Sequence, residues 1–248
     1  MPKSHIFSAA TVTGVCDWLI QEGLLDLSRL GQHRGHPERR MVRSCLDSWN
    51  RAVARGYRLV LEEVGSRVGG QQALPHFNID SATVDRLHDS EHFRQSMEMG
   101  VVMQAVLGYS GEAMAEAFEI AHRYVEGHRL SEAADIYLWL IYLNPFVGWF
   151  WQGLGDCWHQ AEQCDEAFYA YCVAINCDLY EPRLYRSACQ CCMDRGNYGK
   201  ARELLARGIE LMEHAPKGRE NRDKRRSLQN ALAYVNDCER EGRIKNAV

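Results

Sequence analysis

Apolar residues recur three and four positions apart along most of this chain, with polar residues between them. This spacing is typical of amphipathic helices, which bury one face and expose the other. Serine, aspartate, glycine and proline residues interrupt the pattern at intervals that suit helix ends. The pattern predicts helices around 12–20, 37–64, 80–107, 111–126, 131–143, 147–161, 165–177, 182–195, 198–213 and 220–241.

The second half of the chain is repetitive. Ala133, Ala167 and Ala201 stand 34 residues apart, which is the period of the tetratricopeptide repeat. With each alanine at position 20, the repeats cover 114–147, 148–181 and 182–215. Position 8 of that repeat admits only a small side chain, and here it holds Ala121, Gly155 and Cys189.

These features predict an all-α fold: a tetratricopeptide-repeat α-solenoid of three repeats, a C-terminal capping helix and an extra helical N-terminal region. A solenoid needs a terminal helix with one polar face to cover the open end of its core, and the last predicted helix suits that role. Glycine and proline residues over 65–78 read as a linker. We therefore place a boundary between an N-terminal extension with its linker, 1–78, and a repeat domain, 79–248.

Composition narrows the function. The chain has 248 residues, of which 46% are hydrophobic, and a net charge of −4. This balance favours neither nucleic acid nor acidic membranes. The sequence contains no apolar run of the length that spans a bilayer, and its start does not read as a signal peptide. We expect a cytoplasmic protein whose ten cysteines are reduced and mostly packed in the core.

Three stretches of the repeats resemble a known family. These are Trp149 to Cys157, followed by Asp165 to Tyr171, and the entry to the third repeat at Glu181. They are similar to the class II chaperones of translocator proteins in bacterial type III secretion (LcrH/SycD-like). The resemblance covers about 97–238. It departs from the family at residues 1–78, and at position 15 of the first repeat, where His128 stands in place of the usual glycine.

The resemblance implies a function. Members of this family are cytosolic, bind hydrophobic pore-forming translocators, and hold a short extended segment of the client in a concave groove. It implies that this chain keeps such clients soluble and secretion-competent, and it is consistent with a weak homodimer. Tetratricopeptide arrays are seldom enzymes, so we expect no catalytic residues, no cofactor and no metal.

The first helix of each repeat should line the concave face. Aromatic and arginine side chains are the usual hot spots of such surfaces, which favours Phe118, Trp149 and Arg186. Glutamine and aspartate side chains on the same face are suited to bonding the backbone of an extended peptide. The predicted binding face comprises Phe118, His122, Val125, Trp149, Gln152, Asp156, His159, Arg183, Arg186 and Gln190.

Other interpretations stay open. A general tetratricopeptide scaffold that joins two folded proteins would have the same fold, and an enzyme built on the N-terminal extension is a third hypothesis. Phe118 and His122 stand where carboxylate-clamp repeats have lysine and asparagine, so a clamp for a C-terminal carboxylate is disfavoured. Cys189 and Cys192 have the spacing of a zinc or redox pair, but they fall at packing positions of a helix. His88 and His92 read as a solvated face.

Overall fold

The computed structural model describes residues 38–67, 77, 101–215 and 218–245, and their side chains over 48–67, 77, 101–215 and 218–240. Within those ranges the chain is helical and forms no strand, which confirms the all-α tetratricopeptide fold. The described helices are α1 (Glu38–Ser66), α2 (Met103–Val106), α3 (Gly111–Glu126), α4 (Leu130–Leu143), α5 (Gly148–Gln160), α6 (Cys164–Cys177), α7 (Pro182–Asp194), α8 (Tyr198–His214) and α9 (Arg219–Lys245).

The predicted helices from 111 onward match α3 to α9, and the helix predicted over 37–64 matches α1. Local signals explain several of the starts. Ser110 caps α3 by accepting a hydrogen bond from the Ala113 amide, and Asn197 caps α8 in the same way. Pro182 begins α7, where its missing N–H costs nothing. The helix predicted around 12–20 and most of that over 80–107 lie outside the described residues.

The turn between the two helices of a repeat has the same backbone in all three repeats. Position 15 is left-handed each time, with φ of 58° at His128, 61° at Glu162 and 69° at Gly196. Glycine adopts this conformation without steric cost, whereas other residues do so rarely. His128 therefore differs from the usual repeat in its side chain and keeps the backbone of the turn.

The chain divides into two compact units, Met1–Pro145 and Phe146–Val248. In the first unit, α4 packs against α3, its partner in repeat one, and along the length of α1. Arg55 of α1 donates two hydrogen bonds to the Asp135 carboxylate of α4, at 2.6 and 2.8 Å. A β-carbon added at Gly56 would lie 2.0 Å from the Asp135 carbonyl oxygen, so the two backbones meet where only glycine fits.

An aromatic cluster forms another part of this unit's core. Trp139 is fully buried, with its ring 5.6 Å from that of Tyr57 and 5.7 Å from that of Tyr109. The hydroxyls of Tyr57 and Tyr109 both donate to the carbonyl oxygen of Phe77, at 3.0 and 3.1 Å. These contacts join residues on both sides of the boundary that the sequence predicts at 78. The division into 1–78 and 79–248 stays a prediction.

The second unit shows how the repeat signature works. Helices α5 and α6 form repeat two, α7 and α8 form repeat three, and α9 packs on both helices of repeat three. A β-carbon at Gly155 would lie 2.7 Å from the ring of Tyr171, which explains the small residue at position 8. Ala167 and Ala201 are fully buried between helices. The signature residues thus set how closely the paired helices approach.

Candidate functional site

All ten residues of the predicted binding face lie on α3, α5 and α7, the first helices of the repeats, and none is fully buried. Three belong to the first unit and seven to the second. Trp149 is 56% exposed, a large fraction for a side chain of its size. Phe118, Val125, Gln152, Asp156 and His159 are half-buried, whereas His122, Trp149, Arg183, Arg186 and Gln190 are exposed.

In the first unit, helix α4 fixes this face from behind. The rings of Phe118 and His122 lie 4.5 Å apart, and the ring of Tyr137 stands edge-on to Phe118 at 5.9 Å. The Tyr137 hydroxyl is 2.6 Å from His122 Nδ1. Phe118 and His122 therefore form a braced aromatic surface whose outer side remains open to solvent.

The second unit repeats this bracing at the equivalent positions. The Tyr171 hydroxyl donates to Asp156 Oδ1 at 2.7 Å, again from position 24 of the repeat to position 9. Burial raises the pKa of Tyr171, and the neighbouring Asp156 carboxylate raises it further. Tyr171 therefore stays protonated and donates a hydrogen bond to Asp156. Asp156 is thus held by a tyrosine of its own repeat, as His122 is in repeat one.

Repeat three departs from that arrangement, because Leu205 stands at position 24. Its position 9 residue, Gln190, instead donates from Nε2 to Asp194 Oδ1 at 2.7 Å. The other oxygen of Asp194, Oδ2, lies 2.8 Å from His159 Nε2. A polar chain from repeat two to repeat three thus runs along one end of this face.

A cleft of about 370 Å³ lies between α7 and α9. Arg186 and Gln190 of the predicted face line one wall, with Cys189 and Met193 beside them. The opposite wall comes from α9, to which the sequence assigns only a capping role. The spacing of the wall residues places them on one face of α9 but does not say which helix that face meets. That wall consists of Ser227, Asn230, Ala231, Tyr234 and Val235.

Four cysteines of the repeats, Cys157, Cys189, Cys191 and Cys192, are buried core residues. Cys189 and Cys192 are both buried within α7, as predicted from their packing positions. Burial raises the pKa of Cys157 and of Cys189 to about 12 each. These thiols are therefore protonated at neutral pH and poor nucleophiles. His88 and His92 lie outside the described residues. No helix within the described ranges is both long and apolar enough to cross a membrane.

Comparison with known proteins finds similarity to proteins of type III secretion. No family model matches the chain. It is 22% identical over 157 residues to low calcium response locus protein H of Yersinia pseudotuberculosis, covering 62% of this chain and 94% of that protein. The crystal structure of a type III secretion complex from Aeromonas hydrophila aligns over 64% of this chain and 99% of its own, with a TM-score of 0.50 and 18% identity.

A second similar structure is that of the Yersinia enterocolitica type III secretion chaperone SycD in complex with a peptide of the translocator YopD. It covers 51% of this chain and 95% of its own, with a TM-score of 0.44 and 21% identity. The similarity to low calcium response locus protein H confirms the resemblance to the LcrH/SycD-like chaperones that the sequence indicates.

Proposed function

We propose that this protein is a cytoplasmic chaperone of a bacterial type III secretion system, which binds a hydrophobic translocator through an extended segment. The observation that carries the proposal is that all ten residues of the predicted binding face keep part of their surface open to solvent on the first helices of the repeats. This face holds half-buried and exposed aromatic side chains, Phe118 and Trp149, on a fold whose relatives serve type III secretion. A large aromatic side chain left open to water is a common anchor for a partner.

The chemistry of this face suits an extended apolar peptide. Trp149 offers a flat apolar surface, and Gln152, one turn along α5, is placed to bond the peptide backbone. Toward the C-terminal end the face becomes basic through Arg183 and Arg186, both exposed. We therefore expect a client segment with apolar anchors followed by polar or acidic residues.

Such binding explains how the client is kept soluble without any catalytic step. A pore-forming protein held in the cytoplasm exposes apolar segments that aggregate or enter the wrong membrane. A chaperone that binds the unfolded form lowers the concentration of free client by mass action. When the free chaperone concentration is 100 times the dissociation constant, binding stabilises the chaperone-bound form of the client by about 2.7 kcal/mol. We propose no enzymatic activity and no cofactor for this function.

The test is co-expression with candidate translocators, measuring how much translocator becomes soluble and copurifies. We expect Phe118→Ala combined with Trp149→Ala to weaken binding at least tenfold while the far-UV circular dichroism is unchanged. Tyr169→Ala is the matched control, because Tyr169 is 51% exposed but lies on α6, the second helix of its repeat. The control should bind like the wild type.

Two outcomes would contradict the proposal. If the double variant folds and still binds, the client uses another surface. If the wild type solubilises no translocator but captures a folded protein, the general scaffold is the correct interpretation.

A further inference from the structure

Three side chains with metal-binding atoms converge in the second unit, where the turn of repeat two meets the end of the first helix of repeat three. They are His159 near the end of α5, Cys164 at the start of α6 and Asp194 at the end of α7. One ligand atom from each lies within 4.8 Å of the other two. The sequence predicts no metal, and Cys164 and Asp194 stand 30 positions apart in no recognisable metal-binding motif.

We propose that His159, Cys164 and Asp194 bind a transition-metal ion, with Zn²⁺ the best match. An imidazole nitrogen, a thiolate sulfur and a carboxylate oxygen are the three donor types that zinc accepts in proteins. The mixture disfavours Mg²⁺ and Ca²⁺, which prefer oxygen ligands throughout. Three protein ligands leave the fourth tetrahedral position to water.

The geometry needs only small side-chain movements. With zinc bonds of about 2.0–2.3 Å, the ligand atoms of a tetrahedral site lie roughly 3.3–3.8 Å apart. His159 Nε2 and Asp194 Oδ2 now share a hydrogen bond at 2.8 Å and would open slightly. His159 and Cys164 are half-buried and Asp194 is exposed, so an ion can reach the site from solvent.

The surrounding residues support a fixed site. Gln190 Nε2 donates to Asp194 Oδ1 at 2.7 Å, which turns the other carboxylate oxygen toward His159. Partners of this kind orient metal ligands in known sites. Arg195, which follows Asp194, pairs with Asp165 at 3.0 Å. That pair ties together the same two segments, the start of α6 and the end of α7.

The metal would act as a crosslink between repeats two and three. It would hold the end of α7 to the turn of repeat two, and thereby stabilise the folded state increasingly as the free metal concentration rises above the dissociation constant. This inference does not rest on the proposed function, since it concerns binding of the ion alone.

The test is a titration of the untagged, reduced full-length protein with Co²⁺, which reports its ligands in the absorption spectrum. We expect one equivalent to bind, with a thiolate-to-cobalt charge-transfer band and visible bands of tetrahedral cobalt, all lost on adding Zn²⁺. Cys164→Ser should remove the thiolate band and weaken binding at least tenfold. Gln190→Ala should keep the band and weaken binding roughly 10–100-fold.

Cys177→Ser is the matched control, because Cys177 is an exposed cysteine at the other end of α6. It should leave the spectrum and the affinity unchanged. His159→Gln provides a second variant that removes a different donor, and it should also weaken binding at least tenfold. A wild-type spectrum without a thiolate band, or a band that survives Cys164→Ser, would overturn the proposal.

Discussion

The second helices of repeats one and two are the same element of the repeat, yet they are buried differently. In α4, every residue from Ala133 to Leu143 is buried. In α6, burial is confined to a stripe, and residues between its members are half-buried or exposed. That stripe consists of Ala167, Ala170, Tyr171, Ala174 and Ile175.

The difference reflects what each helix packs against within its own unit. Among the described residues, helix α4 packs against α3, against the long helix α1 and against α2, whereas α6 packs between α5 and α7. A helix that is apolar around its whole circumference must be covered around its whole circumference. The repeat signature thus sets the contact inside each helix pair. The additional apolar positions of α4 form its contact with α1.

This contrast also shows which parts of the fold can be predicted from the sequence. The helix bounds and repeat register followed from periodicity and from small residues such as Gly155 and Ala167. The partner of α1 did not, because the apolar stripe of α1 says that it packs without saying where. Two features of the sequence agree with α4 as that partner: the apolar run from Ile136 to Leu143, and Gly56 in the middle of a long helix, where glycine is otherwise unfavourable.

The candidate site was predicted to a similar degree. Helical periodicity placed Phe118 and Trp149 on accessible faces, since the repeat fixes which positions point inward. It could not identify Tyr234 as a wall of the cleft beside α7, or bring Cys164 toward Asp194. Both juxtapositions depend on how one helix pair stacks on the next, and no local pattern records that.

Substitutions of two tryptophans compare a buried position in the first unit with an exposed position in the second. Trp139 is fully buried, so Trp139→Ala should lower the free energy of unfolding by about 3–5 kcal/mol, through lost contacts and the cavity left behind. Trp149→Ala removes a 56% exposed side chain and should change it by no more than about 0.5 kcal/mol. Urea unfolding monitored by circular dichroism measures both.

Trp139→Phe sharpens that test. Trp139 Nε1 is buried and has no hydrogen-bond acceptor among the described residues. Phenylalanine keeps most of the ring and removes this unpaired donor, whose burial is itself costly. The variant should therefore lose much less stability than Trp139→Ala. Equal losses in the two variants would mean that the aromatic cluster does not hold α1 on α4.

A glycine substitution tests the docking of α1 directly. Alanine normally stabilises a helix by up to about 1 kcal/mol relative to glycine. At Gly56 the added carbon would lie 2.0 Å from a backbone oxygen of α4, so the helices must separate and the Arg55–Asp135 pair must weaken. We expect Gly56→Ala to cost about 1–3 kcal/mol.

Gly199→Ala is the control in the second unit, where the nearest atom to the added carbon is 3.9 Å away. It should be neutral or slightly stabilising. Similar unfolding midpoints for the two variants would contradict the close approach of α1 to α4.

Two equivalent tyrosines test a feature that the two units share. Tyr137 and Tyr171 occupy the same repeat position and bond His122 and Asp156, one in each unit. Replacing either tyrosine with phenylalanine removes only the hydroxyl. Tyr137→Phe should cost about 0.5–1.5 kcal/mol, as expected for an ordinary hydrogen bond. Tyr171→Phe should cost somewhat more, about 1.5–3 kcal/mol, because its acceptor is a carboxylate.

Leu205 supplies the internal comparison, because repeat three has no hydroxyl at this position. If the bond serves mainly to orient residues on the binding face, both variants should weaken client binding more than their loss of stability explains. Melting curves and client affinities measured on the same preparations separate the two effects. Wild-type affinity in both variants would show that the bracing tyrosines stabilise the repeats and do not position His122 or Asp156 for a client.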